Sequence, residues 1–213
     1  MRKINLIELV QDYLAGGDVA EDLMGRYHYE IVAGHINTAY NKIVFNTYME
    51  AKTYSDYSIL DAWCKNYTLT LADVSSNKGR VKLPFPPVQL PNNMGILQVN
   101  SNGNISDAYA YRETNSHAVF SKLEVGSVST KTFFYLEMND QDETETHVLK
   151  FENLPDGITD VDVKMIVPFD RIDDYDTVAM PAGKEDIIME YVIQLMRTKP
   201  PEDTINDRKP EQI

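Results

Sequence analysis

The sequence predicts an α+β protein: a helical bundle built from the N- and C-terminal helices, with an antiparallel β-rich lobe inserted between them. Three observations predict it. Apolar residues recur at three- and four-residue steps near the start (Ile4, Ile7, Val10, Leu14) and near the end (Ile188, Tyr191, Val192, Leu195). After Tyr54 the apolar period becomes two, as in half-buried strands. Proline, glycine, asparagine and aspartate then punctuate the chain at short intervals. The expected division is a helical body over 1–58 and 178–198, a β-rich lobe over 59–177 and a polar tail over 199–213.

The first helix ends at Gly16-Gly17, because glycine accepts the left-handed conformation that closes a helix. Asp18-Val19-Ala20-Glu21 reads as a capping box for a following element that Gly25 interrupts. The strongest helix pattern runs from about Tyr29 to Ala51. Val32, Ile36, Ala39, Tyr40, Ile43 and Val44 mark one face, and Tyr48 and Met49 begin a second. A helix apolar on more than one side packs against more than one neighbour.

Trp63, Tyr67, Leu69 and Leu71 fall at even steps and predict a half-buried strand, and Gly79–Leu83 predicts another. Pro84-Phe85-Pro86-Pro87-Val88-Gln89-Leu90-Pro91 follows. Four prolines in eight residues exclude a helix interior or a central strand, so this is an extended segment crossing between parts of the fold. Further strands are expected at Ile96–Val99, Ala108–Arg112, Lys131–Met138, Thr146–Phe151 and Val161–Val167, with Asp140–Glu145 as an exposed hairpin loop. Pro181 sits at the entry to the last helix. Glu185 and Asp186 occupy its first turn, where the helix dipole favours acids, and Pro200-Pro201 stop it.

With 213 residues, 43% of them hydrophobic, the chain is long enough to bury a core. Its 33 acidic against 20 basic residues leave a net charge of −13, which excludes a firm grip on a nucleic-acid backbone. An acidic wall repels phosphate, so DNA can still slide past it. Thirteen tyrosines suit surfaces that are buried on assembly. A single cysteine, Cys64, excludes an intrachain disulfide and fits a reducing compartment. No apolar run of signal-peptide or membrane-span type is present, so no membrane partner is expected.

The search for chemistry returns little. His28, His35, His117 and His147 include no HExxH pair. His28 and His35 share a face only if one helix covers both, and they read as ordinary surface or interface histidines. Cys64 reads as a half-buried thiol without a catalytic signature. No nucleophile elbow, phosphate loop or dinucleotide fingerprint occurs. Asp170-Arg171-Ile172-Asp173-Asp174-Tyr175-Asp176 lacks the glycine and terminal glutamate of a calcium loop and reads as a solvated acidic turn. The expectation is a structural protein, not an enzyme, with no catalytic residues, cofactor or metal.

The order of elements resembles the adaptor or tail-tubular proteins of short-tailed phages. Gly79-Arg80-Val81-Lys82-Leu83-Pro84-Phe85-Pro86-Pro87-Val88-Gln89-Leu90-Pro91 looks like a segment of structural proteins of the crAss-like Bacteroides phages. Met165-Ile166-Val167-Pro168 with Met180-Pro181-Ala182 looks like the strand and helix entry that follow in those proteins. Pro201-Glu202-Asp203-Thr204-Ile205-Asn206-Asp207-Arg208 is similar to their polar C-terminal run. The resemblance implies a ring subunit of the head-to-tail connector, in the neck or tail region of a virion assembled in the bacterial host cytoplasm. A dozen or so copies would close below the portal and contact the portal and neighbouring ring or tail proteins. Double-stranded DNA would be only passing cargo in the channel. On this reading Pro84, Phe85, Pro86, Pro87 and Pro91 lie over a neighbouring subunit, and Pro201, Glu202, Asp203, Asn206 and Asp207 dock on a partner. The alternative is a β-rich carbohydrate- or peptide-binding module of the tail, with Trp63 and the tyrosines as its stacking platform.

Overall fold

A computed structural model describes residues 1–14, 28–75, 77–103, 108–112, 131–139 and 146–197. It is an α+β fold. Helix α1 spans Lys3–Leu14, α2 Tyr29–Tyr54 and α3 Lys184–Arg197. Strands β1 (Cys64–Thr70), β8 (Asp160–Ile166) and β4 (Ile96–Ser101) form a three-stranded antiparallel sheet with β8 at its centre. Strands β2 (Ala72–Ser75), β3 (Lys78–Lys82), β7 (Thr146–Glu152), β6 (Phe133–Asn139) and β5 (Ala110–Tyr111) form a second sheet in that order. The two-residue β5 runs parallel to β6, while every other neighbouring pair is antiparallel.

The central strand β8 shows why the lobe folds. Val161, Val163 and Met165 alternate with Asp162 and Lys164, and the three apolar side chains are fully buried. Their burial contributes roughly 1.5–3 kcal/mol each as an upper estimate. On the second sheet Leu149 and Phe151 of β7 face inward with Phe134 and Val81. These residues join one continuous core with the helices, in which Tyr40 of α2 meets Trp63 edge-on at 5.4 Å and Phe169 at 6.1 Å.

The N-terminus is tied to the stretch after β8. The N–H groups of Lys3 and Ile4 donate to the carbonyls of Asp176 and Asp174, and Val178 N–H donates to Met1 O. Lys3 Nζ adds an ion pair to Asp174 at 3.1 Å and a hydrogen bond to Ile172 O at 2.7 Å. The acidic turn is thus the clasp that holds α1 beside the returning chain. Among the described residues no group of carboxylates, histidines and cysteine is arranged to hold a metal.

Several expectations shift in detail. Trp63 is not in a strand. It closes a 3-10 helix, Tyr57–Trp63, and is fully buried. Trp63 is buried with Leu60, three residues earlier, on the three-residue period of that helix, and the strand begins only at Cys64. Helix α1 buries Leu6, Ile7 and Val10, so Leu6 belongs to the stripe and Ile4 lies at its margin. Helix α2 runs three residues past Ala51 and ends at Ser55 in the left-handed conformation (φ 54°). Pro181 precedes α3 by one turn, with Lys184 N–H donating to its carbonyl. Strand β2 is exposed throughout, so its short Ala72–Val74 alternation marks no buried face. Gly16-Gly17, the Asp18–Glu21 box, Gly25, His117, the Asp140–Glu145 loop and the 199–213 tail lie outside the described residues.

Candidate functional site: a proline-walled cleft

The proline-rich segment crosses from β3 in one sheet to β4 in the other, and backbone bonds at both ends fix its path. Leu83 N–H donates to His147 O and Val88 N–H to Ile166 O, each at 2.9 Å. Ile166 N–H in turn donates to Gly95 O at 2.8 Å. Gly95 is required here for space. A Cβ at that position would stand 2.0 Å from the Val88 carbonyl oxygen. The crossing segment therefore lies directly on the backbone of its own return.

Between this segment and α2 opens a cleft of about 610 Å³. Asn41, Lys42 and Phe45 line it from the helix, Pro86 to Leu90 from the crossing segment, and His147 and Pro168 complete the lining. Helical spacing explains the first wall. Tyr40, Ile43 and Val44 point to the core, so 41, 42 and 45 flank that stripe. Lys42 Nζ donates to the Tyr191 hydroxyl at 2.6 Å and sits 4.4 Å from the centre of that ring, which ties α2 to α3 at the cleft margin. Prolines 86, 87 and 168 have no N–H to offer and hold φ fixed, so the second wall is stiff and poor in donors.

His147 is the polar exception. The inward face of β7 reads His147, Leu149, Phe151, and the histidine is 7% exposed. Its Nδ1 has no hydrogen-bond partner among the described residues. Such a buried group costs free energy until something pairs with it. On the α2 wall Phe45 remains 43% exposed, and Met49, one helical turn further on, 44%.

The structure places the expected interface residues unequally. Pro86 and Pro87 line the cleft, with Pro87 buried. Phe85 is half-buried against Tyr67, ring centres 6.5 Å apart. Pro84 and Pro91 are exposed at the two ends of the crossing. Pro201, Glu202, Asp203, Asn206 and Asp207 lie outside the described residues. Sequence reasoning missed Asn41, Lys42, Phe45, His147 and Pro168 as neighbours of that segment. One signal was available for His147: a histidine on the apolar phase of an alternating strand.

The other chemical candidates resolve structurally. His28 is the N-cap of α2, its Nδ1 accepting from Glu30 N–H at 3.4 Å, so it does not share a helix face with His35. Burial pushes the Cys64 thiol up to about 12, and its Sγ donates to Leu60 O at 3.4 Å. Full burial of Trp63 removes it from any glycan platform. No helix among the described residues is long and apolar enough to cross a membrane. No protein-family model matches the chain, and no curated protein matches it.

Proposed function

We propose that this chain is a virion structural protein, a ring subunit of a phage head-to-tail connector that sits below the portal and surrounds the DNA channel. The observation that carries the reading is the proline-walled cleft with exposed Phe45 on its helix wall and exposed Met49 one turn further on. A stiff, donor-poor wall next to exposed apolar side chains suits a protein partner, since its shape is set before binding and little order remains to be imposed. It does not suit hydrolytic or transfer chemistry, which needs a nucleophile and base in mutual reach. The same segment is one of three runs that resemble structural proteins of the crAss-like phages. The net charge of −13 supports the reading through its channel wall, because DNA passes an acidic surface without sticking.

On this reading adjacent copies in a cyclic ring meet through unlike surfaces, one of them the cleft. The test is co-expression with the portal protein of the same genome, followed by negative-stain imaging. The expected result is a closed ring on the portal, weakened by Phe45→Glu. A folded monomer that ignores the portal contradicts the proposal. Hydrolytic activity lost on a single histidine or aspartate substitution would also contradict it.

A further inference from the structure

The cleft differs in charge from the molecule that carries it. The chain has 33 acidic and 20 basic residues, yet among the described residues no carboxylate lines the cleft. Its ionisable groups are Lys42 and His147. The Lys42 ammonium is held in place by the Tyr191 hydroxyl, which uses one of its three donors. The His147 imidazole has Nδ1 buried without a partner among the described residues. Phe45, Pro86, Pro87 and Pro168 add apolar faces. The group that matches this set is an apolar ring with a polar tip, carried beside carboxylates. A tyrosine flanked by aspartates has that chemistry. Its hydroxyl can donate to an imidazole nitrogen or accept from one, so it suits either tautomer, while its ring packs on apolar faces.

The chain itself presents such a tyrosine. Tyr175 is 75% exposed, more than any other large hydrophobic side chain among the described residues, and Asp173, Asp174 and Asp176 flank it. Backbone bonds fix this turn. Asp176 N–H donates to Asp173 O at 2.9 Å, and the carbonyls of Asp174 and Asp176 accept from the N–H groups of Ile4 and Lys3. Asp174 and Asp176 also pair with Lys3 and Lys65. In both pairs the lysine is the more buried member, so the outer surface of the turn is carboxylate. Tyr175 is therefore a knob set in shape before binding, as the proline wall is. Tyr54, nearly as exposed, lacks this setting, because Lys52 and Asp56 flank it with opposite charges.

We infer that Tyr175 of one copy inserts into the proline-walled cleft of the next copy, with its flanking aspartates turned toward Lys42. The ring of Tyr175 packs against Phe45 and the prolines, and its hydroxyl meets the imidazole of His147. Buried tyrosines of this kind dominate many interfaces, whereas surrounding contacts mainly exclude water. Opposite charges at the rim guide the approach and oppose the reverse pairing of two acidic turns. Knob and cleft are different surfaces of one chain, so each copy can use both at once and the contact propagates head to tail. The inference rests on the ring reading and deepens it, by naming the surface that meets the cleft.

The test uses the full chain. In sedimentation velocity the unmodified protein is expected to form species beyond twice 24.3 kDa at concentrations on the order of 100 µM. Tyr175→Ser removes the knob and Phe45→Glu blocks the cleft. Both positions are exposed, and circular dichroism confirms that each variant keeps the native fold. Each variant alone should stay monomeric. Mixed, they retain one intact knob and one intact cleft, so they should pair at twice 24.3 kDa and grow no further. Lys42→Glu added to the Tyr175→Ser partner should weaken that pair at least about tenfold. An unmodified chain that is monomeric up to about 1 mM, a variant that assembles as the unmodified chain does, or a mixture that stays monomeric would overturn the inference. A ring that forms unchanged on the portal from Tyr175→Ser would overturn it and leave the ring reading standing. A mixed pair that forms as expected, from a chain absent from virions, would uphold the contact and contradict the ring reading.

Discussion

At the residue scale, Gly95 and Gly34 illustrate opposite uses of the same amino acid. Gly95→Ala drives a methyl into the Val88 carbonyl, which cannot move without breaking its segment's bond to Ile166. The expected loss is at least ~2 kcal/mol, read as a lower urea midpoint. Asp160 offers a pH test. The Thr70 hydroxyl at 2.7 Å and the Thr159 hydroxyl at 2.8 Å donate to its carboxylate and hold its pKa below the usual aspartate value. A folded-state pKa lowered in this way stabilises the fold above the ordinary aspartate pKa, and that contribution is lost as pH falls through the lowered value. Thr70→Val should therefore move the Asp160 carboxyl titration upward by NMR. Cys64 should resist a thiol reagent at about pH 8 in the folded protein and react once unfolded, since only the thiolate attacks. Rapid modification of the native chain would contradict its burial.

At the element scale, much of the fold was readable because periodicity and burial coincide. Val32, Ile36, Ala39, Tyr40, Ile43 and Val44 are all buried on α2, and β8 alternates as its sequence does. Reading failed where geometry has no periodic signature. Trp63 ends a 3-10 helix four residues before Tyr67 of β1, an even step that a continuous strand would also give, and β2 is exposed throughout and buries no apolar face. Gly34 lies on an exposed part of α2 with nothing within 4 Å of an added Cβ. Gly34→Ala should gain about 0.5–1 kcal/mol, since alanine loses less backbone freedom in a helix. A raised thermal midpoint is the readout. A fall would mean that this face of α2 already contacts something in solution.

At the scale of the whole molecule, the helical ends and β-rich middle could be read from the order of elements, but their mutual clasp could not. The acidic turn looked like a solvated loop, yet the carbonyls of Asp174 and Asp176 receive the N-terminal backbone. The cleft was half readable. Pro84, Pro86, Pro87 and Pro91 stood out, whereas Lys42, Phe45 and His147 reach the same place only through folding, from positions far apart in the chain. Long-range juxtaposition of this kind leaves no local pattern. Where the protein resides is tested most directly by peptide mass spectrometry of purified virions with gold labelling. The expected result is the chain in many copies per particle, with label confined to the neck between capsid and tail. Virions that lack the chain, or that carry label only at the distal tail tip, would contradict it.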